Sequence, residues 1–411
     1  MKRFGLLGEQ LTHSFSPLIH AELGDYEYQL FEKKPDELDS FFKSGDFDGI
    51  NITIPYKKDV ITYCGSLSET ARIIGSVNTI TRTPDGTFHG DNTDFYGFTY
   101  LLKRAGADLS CGKTIVLGSG GSSLTVQAVL RDMGEVVVVS RNGINNYENI
   151  NKHYDARAIV NTTPVGMYPN NGFLPINDLK MFKHCHTVVD LIYNPMRTEL
   201  LLQAEELGMV TENGLAMLVA QAKKSAEYFT NAPIDDSKIE EIISKINIKT
   251  RNIVLIGMPG CGKTSIGKAL AKKTEREFVD SDDWIVETNG KSIPDIFAED
   301  GEEAFRKMET DALKKLCKRS GLIIGTGGGV VTRPENKNII RQNGVVVYLD
   351  RNIAELPISD RPLSMRDGVK ALAALRLPLY EQWCEFKLSV RDVGQAADEL
   401  KHILFGGMGF C

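Results

Sequence analysis

Short, continuously apolar runs recur along the chain, and they restrict its fold more than any other feature. The four valines of 136–139 and the three of 345–347 show no polar alternation. A strand of that kind must be covered on both faces, as in a parallel sheet flanked by helices. Further strands are predicted at 49–54, 113–117, 135–140, 187–191, 252–256 and 344–349. Helical patterns at 122–133, 199–207 and 264–273 lie between them. Repeated βαβ units of this sort predict α/β architecture.

A chain of 411 residues exceeds what one core usually holds. A polar helical pattern over about 236–245 ends in a few residues without a Gly/Ser or Pro tract, and a new strand begins at Ile253. The sequence therefore predicts a short linker at 246–250 between two folded units. With 48 Lys and Arg against 54 Asp and Glu, the net charge is −6. That balance disfavours a nucleic-acid or anionic-membrane partner. Seven cysteines without a CxxC pair argue against a zinc or disulfide framework and favour a reducing cytoplasm. No apolar run reaches the length of a membrane span, and the stretch after Met1-Lys2-Arg3 is too short for a secretory leader.

The glycines sit in clusters, and each cluster follows a predicted strand. Behind 113–117 come Gly118, Ser119, Gly120, Gly121 and Ser122, then a helix. Such a turn brings bare backbone and a helix N-terminus to a pyrophosphate, although the strict GxGxxG spacing is broken. A tight βα turn without a ligand would look similar. The next strand ends in Ser140, Arg141 and Asn142, where an NAD enzyme would carry an acid for the ribose. A guanidinium there suits a 2′-phosphate, so the pair of features points to NADP. Upstream, Thr12 to Pro17 places Ser14 and Ser16 two residues apart, on one side of an extended chain. Thr53 to Lys57 closes a strand with a lysine, and Gly90 to Asp94 forms a polar turn. Each of these alone fits an ordinary turn or cap.

In order, the blocks HSFSP, NITIPYKK, GSVNTI, DNTDFYGF, GSGGSS, NTTPVGM, DLIYNP and NGLAMLVAQA make the first 245 residues resemble shikimate dehydrogenase. The resemblance implies a substrate domain at 1–100, completed by helices near 214–245, and a Rossmann-like NADP domain at 101–213. It implies that Ser14 and Ser16 hold a substrate carboxylate. Thr53, Asn78, Gln221 and Tyr193 would hold ring hydroxyls, Lys57 and Asp94 would be the catalytic pair, and Leu191 and Gly214 would lie by the nicotinamide. Elementary chemistry agrees: a lysine beside a carboxylate can stabilise and protonate the oxygen of a ketone under reduction. Leu124 stands where Arg is frequent in the family, and no second Arg follows Arg141.

In the second unit, the strand 252–256 is followed by Gly257-Met258-Pro259-Gly260-Cys261-Gly262-Lys263-Thr264, a complete GxxxxGK[ST] motif, and then a helix. Gly260, Cys261, Gly262 and Ser265 would wrap ATP phosphates, Lys263 would bridge them, and Thr264 would touch Mg²⁺. Asp280 and Asp282 end a short strand and would share a side if the chain stays extended. Arg306 and Glu309 are spaced for one helix face, which surface pairing would also explain. Gly327, Gly328 and Gly329 follow another strand. With Asp360-Arg361-Pro362-Leu363 and Arg376-Leu377-Pro378-Leu379-Tyr380, these blocks resemble shikimate kinase over about 251–395. The resemblance implies that Asp282 binds the acceptor hydroxyl, Arg306 and Arg376 clamp the carboxylate, the glycines line the ring, Arg361 comes from a lid over the phosphates, and Asp280 serves Mg²⁺.

Together the two resemblances imply a bifunctional enzyme of aromatic amino-acid biosynthesis. It would reduce 3-dehydroshikimate with NADPH and phosphorylate shikimate with ATP. Three other readings stay open: a quinate-type dehydrogenase, a nucleoside or nucleotide kinase in the second unit, and a fusion with one silent domain.

Overall fold

A computed structural model describes residues 2–11, 14–107, 109–110, 112–356 and 368–406. The chain divides into two compact units, 1–167 with 173–193 and 200–243, and 168–172 with 194–199 and 244–411. The boundary falls inside the helix Ser237–Thr250, so the residues read from sequence as a linker, 246–250, are its last turns. The apolar positions Ile239, Ile242, Ile243 and Ile246 are buried, and their 3- and 4-residue spacing explains why this polar segment stays helical.

The first unit holds two sheets. One has the order β2-β1-β3-β5-β6-β4, from β1 (Arg3–Gly8), β2 (Glu27–Glu32), β3 (Gly49–Ile52), β4 (Ser66–Leu67), β5 (Thr79–Arg82) and β6 (Phe88–Asp91). β1 pairs in parallel with β2 and β3, whereas β5 runs antiparallel to β3 and β6. The short turn at Gly86 (φ +88°) makes the β5–β6 reversal. The other sheet is wholly parallel, in the order β11-β10-β9-β7-β8. Its strands are β7 (Lys113–Leu117), β8 (Glu135–Val139), β9 (Ala158–Asn161), β10 (Thr187–Asp190) and β11 (Val210–Asn213). Ile115, Leu117, Val139, Ile159 and Val188 form its core with Phe182 and Leu200.

The second unit is built on a parallel sheet in the order β13-β14-β12-β15-β16. β12 is Asn252–Ile256, β13 Phe278–Asp280, β14 Ile323–Gly325, β15 Gly344–Asp350 and β16 Phe386–Ser389. Every residue of β12 is buried, as its continuous apolar run requires. In both parallel sheets the glycine loop leaves the carboxyl end of a strand with neighbours on both sides, the position where open α/β sheets bind ligands. No helix among the described residues is long and apolar enough to cross a membrane.

Candidate active sites

In the first unit, Lys57 follows β3 through a turn closed by a hydrogen bond from the Tyr56 amide to the Thr53 carbonyl, 3.0 Å. Its own carbonyl accepts from the Val77 amide at 2.7 Å, which ties the lysine to the chain entering β5. Asp94 opens the helix Asp94–Arg104, where the helix dipole favours a carboxylate. Lys57 Nζ lies 2.6 Å from Asp94 Oδ2, and the two side chains are only 18% and 9% exposed. Gly97 lets the helix Leu215–Thr230 approach closely: a Cβ there would lie 2.6 Å from the Met217 carbonyl and 3.0 Å from Gln221 Cβ. This approach carries Gln221 to within 3.4 Å of Asn78 Nδ2. Asn78 is buried, and its Oδ1 accepts from the Thr93 amide at 2.7 Å.

Ser14 and Ser16 do not share an extended segment. Phe15 is helical (φ −81°, ψ −6°), Ser16 begins the helix Ser16–His20, and Ser14 Oγ accepts from the Ser16 amide at 3.2 Å. Pro17 near the helix start fixes φ for a helix, which overrides the extended alternation expected from spacing. Thr12 and His13, part of the same block, lie outside the described residues. The Tyr193 ring lies 5.3 Å from that of Phe15, and burial raises its phenol pKa.

The NADP candidates follow β7. Gly118 has φ +103°, and a Cβ on it would meet Thr162 Oγ1 at 2.8 Å, so the turn itself requires glycine. Gly120 and Gly121 differ: no atom lies within 4 Å of a Cβ on either. Packing therefore does not explain their missing side chains; they leave open space at the start of the helix Gly121–Leu130. Ser119 is exposed, Ser122 half-buried, and the helix Gly121–Leu130 starts one residue earlier than expected. Ser140 begins a turn closed by Gly143 N to Ser140 O at 3.2 Å, and Arg141 and Asn142 are exposed on it. Leu191 and Gly214 meet directly, since a Cβ on Gly214 would lie 1.9 Å from the Leu191 carbonyl oxygen.

In the second unit, Lys263 begins the helix Lys263–Thr274, and its ammonium donates to the Gly257 and Met258 carbonyls at 2.8 and 3.1 Å. Gly260 (φ +84°) and Gly262 (φ +107°) need the left-handed region, and Cys261 is fully buried, consistent with a filler. Ser265 lies in the first turn of the helix. Thr264 Oγ1 donates to Asp280 Oδ2 at 2.8 Å. Asp280 and Asp282 are not on one extended segment: the helix Ser281–Asn289 starts between them, and Asp280 caps it by accepting from the Asp282 amide at 3.0 Å. A hydroxyl and one carboxylate are oxygen donors of the kind that would suit Mg²⁺.

Arg306 and Glu309 form a pair at 2.9 Å, but it is not on the surface. Arg306 is 7% and Glu309 0% exposed in the side chain. Their spacing sets a common face; the helices packed over Gly301–Leu316 decide that this face is inside. A Cβ on Gly327 would fall 2.4 Å from Glu309 Oε1 and 2.9 Å from Asp282 Oδ1, and one on Gly329 would strike the Arg306 guanidinium at 2.1 Å. Glycine is thus required where the loop meets the acid and arginine groups. Ser281, absent from the sequence reading, accepts from the Gly327 amide at 3.1 Å, and Tyr380 OH donates to the Gly328 carbonyl. Arg376 is buried with no described hydrogen bond to its Nε. Burial, then the Glu309 and Asp280 charges, push Asp282 up to about 7 against the pull of Lys263 and Arg306. Burial likewise raises Glu309. Arg361 lies outside the described residues.

Residues 6–80 match the family model of the shikimate dehydrogenase substrate-binding domain. A shikimate dehydrogenase (NADP(+)) from Clostridium perfringens is 36% identical over 272 residues, 61% of this chain and 100% of the relative. The chain belongs to the shikimate dehydrogenase family. A chorismate mutase/shikimate 5-dehydrogenase fusion from Clostridium acetobutylicum matches in structure with TM-score 0.56 and 36% identity, over 60% of this chain and 97% of that one. The shikimate 5-dehydrogenase of Thermus thermophilus, solved with NADP(H) and shikimate, matches with TM-score 0.54 and 31% identity, over 60% and 99%. Residues 259–399 match the shikimate kinase model. To its dehydrogenase part the chain therefore adds a P-loop shikimate kinase domain.

Proposed function

We propose that this bifunctional chain reduces 3-dehydroshikimate to shikimate with NADPH and phosphorylates the 3-hydroxyl of shikimate with ATP and Mg²⁺. The observation that carries the reading is one chain holding two sites fit for one ring. Lys57 Nζ and Asp94 Oδ2 stand 2.6 Å apart, the Asn78 and Gln221 amides meet at 3.4 Å, and Asp282 faces a glycine loop beside Arg306 and a phosphate loop.

NADPH supplies the hydride when bound, with Gly118 to Ser122 around its pyrophosphate and Arg141 at the 2′-phosphate. Lys57 Nζ gives a proton to the ketone oxygen as charge develops there, and Asp94 holds the ammonium in place. Ser14 and Ser16 take the carboxylate, while Thr53, Asn78, Tyr193 and Gln221 face the ring hydroxyls. In the kinase, Asp282 accepts the proton of the attacking hydroxyl, and Arg306 and Arg376 hold the carboxylate through planar forks. Thr264 and Asp280 hold Mg²⁺, and Lys263 turns to the phosphates.

The test is substrate comparison on the purified chain. Shikimate should be oxidised with NADP⁺ in strong preference to quinate, and shikimate, not a nucleoside, should accept phosphate from ATP. Faster quinate turnover, or no phosphorylation of shikimate, would contradict the reading.

A further inference from the structure

We propose that Thr93 is a positioning residue that holds the Asn78 amide through its backbone N–H and the Gln221 amide through its hydroxyl, an inference that rests on the dehydrogenase reading above. Thr93 is only 2% exposed. Its backbone amide is purely a donor, so the Asn78 atom 2.7 Å away is Oδ1, and the Asn78 NH₂ faces the other way. The Leu218 carbonyl is purely an acceptor, so the Gln221 atom 2.9 Å from it is Nε2, and Oε1 is turned toward Thr93. Thr93 Oγ1 sits between the two amides, 3.0 Å from Asn78 Nδ2 and 3.3 Å from Gln221 Oε1.

The direction of the Thr93 proton follows from its neighbours. Ser225 and Thr79 hydroxyls lie 3.1 and 3.2 Å from Thr93 Oγ1. Ser225 Oγ has the Gln221 carbonyl as an acceptor at 3.0 Å, Thr79 Oγ1 has Asn78 Oδ1 at 3.1 Å, and the two hydroxyls lie 2.9 Å apart, where either can donate. Asn51 Nδ2 donates to both hydroxyls, at 2.8 and 3.1 Å, and Asn51 Oδ1 accepts from Tyr28 OH at 2.8 Å. The Thr93 hydroxyl accepts from Asn78 Nδ2, and its own proton has two amide oxygens in reach, Asn78 Oδ1 at 3.2 Å and Gln221 Oε1 at 3.3 Å. Asn78 Oδ1 already accepts from the Thr93 amide and faces Thr79, so Gln221 Oε1 is the acceptor less supplied by others. Asn78 Nδ2 faces Thr93 Oγ1 and Gln221 Oε1, and one N–H of Gln221 Nε2 goes to the Leu218 carbonyl, which leaves the second Gln221 N–H to offer to a substrate oxygen. Without that hydroxyl, Gln221 Oε1 keeps only the 3.4 Å contact to Asn78, and the Leu218 carbonyl alone holds the amide against turning to present an acceptor instead.

The test is steady-state kinetics of Thr93→Val, which keeps shape and removes the hydroxyl, and Thr93→Ser, which restores it. Thr93→Val should lower kcat/KM for 3-dehydroshikimate about tenfold or more, mainly through KM, as expected for one substrate hydrogen bond lost. KM for NADPH and the kinase activity of the same molecule should not change, and Thr93→Ser should recover most of the loss. Should Thr93→Val fail to fold, Ser225→Ala breaks the network from the other side and should raise the same KM alone. An unchanged substrate KM in the folded variant, or equal losses for substrate and NADPH, overturns the inference. A wild-type chain that does not turn over 3-dehydroshikimate overturns the dehydrogenase reading, and this inference with it.

Discussion

Asp282 and Glu309 converge on one glycine: Asp282 Oδ1 and Glu309 Oε1 would lie 2.9 and 2.4 Å from a Cβ on Gly327. Neither oxygen has a hydrogen-bond partner among the described residues. Two buried carboxyls so placed cannot both ionise readily, and Asp282 is held up to about 7. On the reading proposed above Asp282 must be ionised to take the hydroxyl proton, so kinase kcat/KM for shikimate should fall as pH drops through about 7. Glu309→Gln removes a negative neighbour and should move that acid limb of kcat/KM to lower pH. A limb that stays in place, or is absent down to acidic pH, would separate Asp282 from proton transfer.

Arg141→Ala should raise KM for NADPH about tenfold or more, the scale of a charge-assisted hydrogen bond, and leave KM for NADH nearly unchanged. Only NADPH carries the 2′-phosphate. Equal effects on both cofactors would remove Arg141 from the phosphate site.

Two glycines of the dinucleotide site should answer differently to alanine. At Gly214 the new Cβ would lie 1.9 Å from the backbone oxygen of Leu191, so Gly214→Ala should cost about 1–3 kcal/mol of stability, seen as a lower Tm. At Gly120 nothing lies within 4 Å, so Gly120→Ala should keep the wild-type Tm and weaken NADPH binding. A stable Gly120→Ala enzyme with unchanged KM for NADPH would show that the space is not the pyrophosphate site.

His20 offers a test of the packing under the substrate domain. It is 1% exposed, stacked 3.9 Å from Tyr28, and 2.7 Å from Tyr26 OH through Nδ1. Burial lowers its pKa from 6.5 to about 3. Between those values the unfolded chain takes up a proton that the native state refuses. Stability contributed by neutral His20 is complete above pH 6.5 and is lost at about 1.4 kcal/mol per pH unit as pH falls toward 3. Denaturation of the wild type and His20→Gln at pH 7 and pH 5 should show the wild type losing more. Equal losses would mean that His20 is protonated in the fold.

The strands were legible because their signal is local. The run 252–256 became β12 at the same bounds, and 113–117 became β7. The glycine loops could be placed for the same reason. What sequence could not give depends on partners brought from far away. Arg306 and Glu309 have the spacing of a surface pair, and only the packing around Gly301–Leu316 makes them buried. Asp280 and Asp282 look alternating until a helix starts at Ser281, and Ser14 and Ser16 until one starts at Ser16. Thr93, Thr79, Ser225 and Asn51 were invisible as a group, since their contacts join segments up to 174 residues apart. Gly97 did carry a signal, as a glycine inside a helix marks a close approach.

The most direct test is one reaction followed to its end. The purified chain would be given 3-dehydroshikimate, NADPH and ATP–Mg²⁺, and its products identified by mass. The wild type should form shikimate 3-phosphate. Lys57→Ala should slow the first step about 10²–10⁴-fold, the usual contribution of a general acid, and still phosphorylate added shikimate. Asp282→Asn should accumulate shikimate. Shikimate 3-phosphate formed from 3-dehydroshikimate at the wild-type rate by either variant would contradict the account.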